Sequence, residues 1–195
     1  MNQLLEKFNE YKSIVNYRME YEFENGDVIN FKLKQTDFPH LIGLHKLIDI
    51  PVIRQFNDKN NKTVSAKFII SKIKKEEQIT EDIIRHSSYF AEIQQRFEFF
   101  SKENILTLTY TDAVIDFDAT RIGSNLKATY ILYEQKGVQG YNHLCVAEDL
   151  MGKKYVESFF YNPTNLYIRN QNTISIRRVK IYDEKGQPYL ADVFL

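Results

Sequence analysis

Between Leu126 and Tyr161 the chain alternates side-chain types with period two over three consecutive stretches, 126–134, 141–147 and 154–161, with Gly137, Gly140 and Gly152 between them. Period two is the spacing of a strand, whose side chains point alternately to opposite faces. Strands joined by such short turns pair antiparallel, because a parallel pair needs a long crossover. In the second stretch Tyr141, His143, Cys145 and Ala147 share one face and Asn142, Leu144 and Val146 the other. In the third, strict alternation sends Tyr155, Glu157, Phe159 and Tyr161 one way and Val156, Ser158 and Phe160 the other. Two titratable groups, His143 and Glu157, are thereby placed within otherwise apolar or aromatic faces.

The flanking segments set the fold class. From Asn2 to Val15, apolar residues at helical spacing (Leu4, Leu5, Phe8, Tyr11, Val15) predict an amphipathic helix capped by Asn2. A hairpin follows around Glu24-Asn25-Gly26. A three-residue loop with Gly26 left-handed is preferred to a two-residue turn, because only it puts Met19, Tyr21, Ile29 and Phe31 on one face. Asp37 and Pro39 open a short helix through Leu47, on which His40 and His45, five apart, project about 140° from one another and do not share a ligand. Further helices are expected near 64–73, at 81–86 behind Thr80, and at 88–102. In the last, Phe90, Ile93, Phe97 and Phe100 form the stripe and Glu92, Gln95, Arg96 and Lys102 the opposite side. Beyond Asn104 strand patterns take over, at 105–110, 113–117, the three stretches above, 173–182 and 189–194. The expectation is an α+β fold: N-terminal helices and a hairpin, then a mainly antiparallel β-sheet. It is read as one domain over 1–195, mostly helical with the hairpin to residue 103 and sheet from 104.

Several function classes drop out. One cysteine, Cys145, excludes an intramolecular disulfide and multi-cysteine zinc motifs, and its place within a strand marks a buried thiol. Phosphate-binding glycine loops, nucleophile elbows and His-Glu-x-x-His are absent, and Asp112, Asp116 and Asp118 lack the spacing of a metal site. No cofactor is expected. No apolar run spans a bilayer and the N-terminus is not a signal peptide, so the expectation is a cytoplasmic protein without membrane contact. The formal net charge is zero, which argues against coating nucleic acid by bulk charge but leaves local basic surfaces open. One is the segment from Arg54 to Lys75, with Arg54, Lys59, Lys62, Lys67, Lys72, Lys74 and Lys75 against Asp58; it is either a solvated helix face or a nucleic-acid contact.

His143 and Glu157 carry the chemical reading. A histidine titrating near neutrality and a carboxyl group raised by partial burial, on adjacent strands, form an acid–base pair. RNA cleavage through the ribose 2′-hydroxyl needs such a pair and cations for the phosphate. Arg169, Arg177, Arg178 and Lys180 lie in a stretch free of acids, Lys136 precedes His143, and Tyr161 and Tyr167 offer faces on which bases stack. The plain alternative is a hydrogen-bonded structural histidine and a glutamate pointing at water. Arg177 and Arg178, as neighbours in a strand, face opposite sides.

Phe38-Pro39-His40-Leu41-Ile42-Gly43-Leu44-His45, Ala128-Thr129-Tyr130-Ile131-Leu132-Tyr133, His143-Leu144 and Glu157-Ser158-Phe159-Phe160, in that order, resemble a family of phage and mobile-element proteins in the barnase-EndoU-colicin-RelE (BECR) group of nucleases. The resemblance implies helices followed by an antiparallel sheet and a small, metal-independent ribonuclease, toxin-like or used in conflict between phage and host. The positions that match are His40, His143, Glu157 and Ser158. The roles we assign on this basis are Glu157 or His40 as base, His143 as acid, and Arg169 with Arg177 or Arg178 on the phosphate. RNA is the expected partner, with a host or antitoxin protein as a further candidate. The rival function is a non-catalytic phage-borne inhibitor or accessory binding protein on the same fold.

Overall fold

The computed structural model describes residues 2–58, 60, 63–106, 110–136 and 140–194, the last five without their side chains. The elements run α1 (Gln3–Lys12), β1 (Arg18–Phe23), β2 (Val28–Lys32), α2 (Phe38–Leu41), α3 (Pro51–Asn57), α4 (Ala66–Lys74), α5 (Glu81–Arg85), α6 (Phe90–Phe99), α7 (Lys102–Ile105), β3 (Asp112–Ile115), β4 (Tyr130–Gln135), β5 (Tyr141–Glu148), β6 (Lys154–Asn162), β7 (Asn172–Tyr182) and β8 (Pro188–Phe194). All strands join one antiparallel sheet in the order β2-β1-β7-β3-β4-β5-β6, with β8 also on β7. The fold is therefore α+β as expected, and the sheet curls until its edge strands β2 and β6 meet. No helix among the described residues is long and apolar enough to cross a membrane.

Local chemistry explains the starts of the helices. Asn2, Ser65, Thr80 and Ser101 each accept a backbone N–H of the following turn, satisfying a donor that has no partner within the helix. In the hairpin Tyr21 faces Ile29 and Met19 faces Phe31, all four are buried, and Gly26 has φ +88°. That is the three-residue loop, selected by burial of one face. Two expected strands differ. The segment before Tyr130 does not enter β4, because Ile122, Leu126 and Ala128 fold over the sheet instead. Of the strand expected at 105–110, Ile105 ends α7 and residues 107–109 lie outside the described residues, as do Gly137, Lys59 and Lys62.

The sheet buries both faces in its middle. One face, with Leu132, Leu144, Val146, Val156 and Phe159, meets the helices in the main core. The other, with Val114, Ile131, Cys145 and Phe160, is covered by Phe117, Ile122, Leu126 and Tyr167. An aromatic seam ties three helical segments to β6. Phe38 lies edge-on to Phe8 at 5.2 Å and to Phe100 at 5.4 Å, and Phe100 lies edge-on to Phe159 at 5.9 Å, each in a favoured ring geometry.

Gly43 controls how α2 meets α6. Its φ is +92°, and a Cβ there would lie 2.9 Å from Ile93 Cγ2 and 3.1 Å from Arg96 Cδ. Gly43→Ala combines a left-handed backbone with overpacking, and is expected to cost about 2–3 kcal/mol of stability in urea unfolding. A loss below about 0.5 kcal/mol would show that this loop is not held as described.

Candidate functional site

A β-bulge creates the site. The β5–β6 register runs His143 to Phe160, Leu144 to Phe159 and Cys145 to Ser158, then jumps to Val146 with Val156. Glu157 is the extra residue, without a partner in β5. Strict alternation, which put Glu157 on the face of Phe159, fails at this point. Val156 and Phe159 both enter the main core, and the odd step between them is absorbed at Glu157 and Ser158. Bulges re-aim side chains in this way, and Glu157 stays half-buried at the wall of a cleft.

The cleft, about 460 Å³, lies between the edge strand β6, α6 and the segment from α2 to Lys46. Glu157, Ser158 and Tyr161 come from β6, Arg96 from α6, and His40, His45 and Lys46 from the α2 segment. Tyr167, from the loop after β6, completes it. The two histidines do not diverge as a continuous helix would make them. Gly43 breaks the helix, a short 3-10 turn (Leu44–Lys46) follows, and the imidazoles stack at 4.0 Å and 15°. Arg96 was expected on the outer side of its helix. It stands three residues after Ile93 and four before Phe100, which puts it on the flank of the apolar stripe, and that spacing was the signal in the sequence. Its guanidinium lies over Phe160 at 5.8 Å, and Nη1 donates to the His40 carbonyl at 3.5 Å.

The electrostatics follow from burial and from these cations. Burial, then Arg96 and Lys46, lower the His40 pKa. Burial, then His40, Arg96 and Lys46, push His45 down to about 3. Burial also lowers the Arg96 pKa, and no carboxylate among the described residues is within ion-pair distance of it. Glu157 moves the other way: burial raises its carboxyl pKa, opposed by Lys127. An under-compensated guanidinium, two neutral imidazoles and a carboxyl raised toward neutrality share one concave surface. Lys46 and Glu92 also line it, and groups shifted in this way by burial and neighbouring charge are of the kind that proton-transfer chemistry uses.

Other expected site residues lie elsewhere. His143 is fully buried and is not in the cleft lining. Its ring stacks on Phe160 at 4.8 Å and stands edge-on to Tyr167 at 5.7 Å, behind the cleft wall. Arg177 and Arg178 pair with Glu22 at 3.6 and 3.5 Å, and Lys180 with Glu20 at 3.6 Å, on the far side of the sheet order from β6. Lys136 pairs with the buried Glu134 at 2.6 Å. Arg169 is exposed in the loop before β7, outside the cleft lining. Among the described residues no three His, Cys, Asp or Glu side chains converge as metal ligands.

Burial holds the His143 pKa at about 4. The backbone of Phe160 and Tyr141 beside the ring opposes this, although neither ring nitrogen makes a well-formed hydrogen bond. The unfolded chain, with an ordinary pKa near 6.5, binds this proton first, so stability is present above pH 6.5 and is lost as pH falls toward 4, by at most about 3 kcal/mol. His143→Leu removes the two unpaired nitrogens as well. Urea unfolding between pH 7 and pH 4.5 should show a flatter pH dependence in the variant than in the wild type. Parallel curves would mean that His143 is solvated or paired in the folded state.

The comparisons with known proteins agree with this picture at the level of family. Neither the curated proteins nor the solved structures include a match. A family model described as phage-Barnase-EndoU-ColicinE5/D-RelE like nuclease4 matches residues 3–187, which takes in every cleft residue named above. The helices, the antiparallel sheet and that match together make this chain a member of the phage-Barnase-EndoU-ColicinE5/D-RelE like nuclease4 family.

Proposed function

We propose that the protein is a metal-independent ribonuclease that cleaves RNA by attack of a ribose 2′-hydroxyl on the adjacent phosphate. The observation that carries the reading is the convergence of Glu157, His40 and Arg96 on one cleft. Glu157 acts as base and takes the 2′-hydroxyl proton; its raised pKa brings it nearer the operating pH, where a base is most effective. The 2′-oxygen bonds to phosphorus, the bond to the 5′-oxygen breaks, and protonated His40 supplies the proton that the leaving oxygen takes. The products are a 2′,3′-cyclic phosphate and a 5′-hydroxyl. Arg96 and Lys46 face the phosphate and stabilise the charge that develops on it.

The lowered pKa of His40 bears on its role as acid. Part of the lowering comes from Arg96 and Lys46, and a bound phosphate offsets those two charges. His40 therefore gains its proton when substrate binds, and the empty cleft holds it neutral. His45, stacked beneath it at 4.0 Å, orients the ring. His143 acts through Phe160 and Tyr167 as a packing residue, a different assignment from the pair of His143 and Glu157 expected from alternation. Tyr161, stacked on Phe99 at 4.5 Å and 3°, and Tyr167 present aromatic surface to a base.

The decisive test is cleavage, in the presence of a chelator, of an RNA carrying one 2′-deoxy nucleotide. Cyclic-phosphate ends at every cleaved linkage and protection of the one after the deoxy sugar are expected. Cleavage of the deoxy linkage, or of DNA at a similar rate, would overturn the mechanism. Absence of cleavage by folded protein would turn the reading toward the binding-protein function. Glu157→Gln should lower kcat/KM by about 10²–10⁴ while leaving the protein folded.

The pH profile has a definite sign. The base must be deprotonated, which needs a pH above its raised pKa, hence above 4.5. The acid must be protonated, which in the free enzyme needs a pH below 6.5. The kcat/KM profile should be a bell with its maximum between these limits, and the basic limb of kcat should lie at higher pH because bound phosphate restores the His40 proton. A kcat/KM optimum above pH 8 would rule out these two assignments.

A further inference from the structure

We infer that the face of α4 carries a second phosphate-binding site, separate from the cleft, which holds the backbone of an RNA strand whose scissile linkage lies at Glu157. The inference rests on the ribonuclease reading for the identity of the strand. Lys67, Ile70, Ser71 and Lys74 form one stripe of α4, at i, i+3, i+4 and i+7. They line a depression of about 580 Å³ whose opposite wall includes Lys34 and Thr36, and no acidic residue among the described ones lines it. Three lysines and two hydroxyl-bearing residues therefore border one space.

Three features separate this from an ordinary solvated lysine face. First, none of Lys34, Lys67 and Lys74 forms an ion pair with a carboxylate among the described residues, whereas Lys72, on another side of the same helix, is paired with Glu77 at 3.2 Å. Asp37, close enough to Lys34 to feel its charge, accepts the Lys34 backbone N–H at 2.9 Å and does not line the depression. Second, Lys67 stands in the first turn of α4, which has no acid. A cation at the positive end of a helix dipole is unfavourable, and an anion beside it relieves both charges. Third, Lys74 is held in place, its ammonium 5.4 Å from the centre of the Phe8 ring.

The position suits a strand that also reaches the cleft. Gln35 and Thr36 border the depression and His40 borders the cleft. The chain between them is helical (a 3-10 turn, Gln35–Asp37, then α2), so the five residues from Gln35 to His40 rise about 8–10 Å along that axis, and the borders of the two sites lie within reach of one short strand. A dinucleotide fills the cleft alone, and a longer strand lays a further phosphate on α4. The basic segment singled out in the sequence thus divides, Lys67 and Lys74 serving the strand and Lys72 being internally compensated.

The test uses a 2′-O-methyl RNA 12-mer, which cannot be cleaved, and compares the double variant K67Q/K74Q with K153Q/K185Q, which loses the same charge on exposed turns. Fluorescence anisotropy at several salt concentrations should show K67Q/K74Q binding roughly tenfold more weakly at 0.1 M salt. Its slope of log affinity against log salt should fall by about 1.4, at about 0.7 for each single-strand phosphate that the variant no longer neutralises. The control variant should stay within about twofold of the wild type on the same grounds. Equal weakening by both variants, or by neither, overturns the site. So does a result in which tripolyphosphate binds in a Lys67- and Lys74-dependent way while RNA affinity is unchanged, since the ligand is then a free polyphosphate. Cleavage of a dinucleotide, run alongside, should be the same in K67Q/K74Q and wild type. If neither cleaves it, the ribonuclease reading fails while the anisotropy still decides the α4 site.

Discussion

The contact of Phe100 with Phe38 and Phe159 is the constraint on which the rest of the molecule depends. Phe38 opens α2 two residues before His40, Phe100 follows α6 four residues after Arg96, and Phe159 sits in β6 two residues after Glu157. The three rings meet edge to face in the core. Each element that supplies a cleft side chain is thus anchored within about one turn or two strand positions of that side chain. Fully buried aromatic rings are the largest apolar contributors to a core and tolerate little displacement, so the cleft inherits the rigidity of the seam.

Around that frame the site is built at a cost. Arg96 is largely buried with no carboxylate among the described residues within ion-pair distance, burial lowers the pKa of two stacked imidazoles, and Glu157 sits where β6 has no ladder partner. Each feature alone disfavours the folded state, and together they are the groups that the proposed phosphate chemistry calls for: a cation, an acid and a base. Local instability of this kind marks functional surfaces, because packing elsewhere overdetermines the geometry.

The balance of charge hides a partition. Arg177, Arg178 and Lys180 are engaged with Glu20 and Glu22 across the β1–β7 pair and serve the sheet. Arg96, Lys46 and the lysines lining the α4 depression lie on concave surfaces in which, among the described residues, Glu92 and Glu157 are the acids. A protein with no net charge can present positive potential to a polyanion when its acids are engaged elsewhere. This accounts for a nuclease family member whose composition shows no basic excess.

The sequence by itself determined the α+β class, the caps Asn2 and Thr80, the register of the first hairpin and the family, because each rests on local chemistry or on short ordered phrases; Asp37 and Ser87 or Ser88, also read as helix starts, do not cap α2 and α6 with their side chains. Caps depend on one side chain and one turn, and a hairpin register on which face can be buried. Alternation in β5 correctly separated His143 and Cys145 from Leu144 and Val146. It could not reveal that β6 slips by one residue at Glu157, since a bulge is a property of two strands and of the core that fills behind them. Nor could spacing on an ideal helix show His40 against His45, because a single glycine at φ +92°, packed on Ile93 and Arg96, breaks that helix. Tertiary structure alone decided that Glu157 lines one cleft with His40, His45 and Arg96 and that His143 lies outside its lining, because side chains far apart in the chain are brought together only where the sheet's edge strand is covered by helices from the other half.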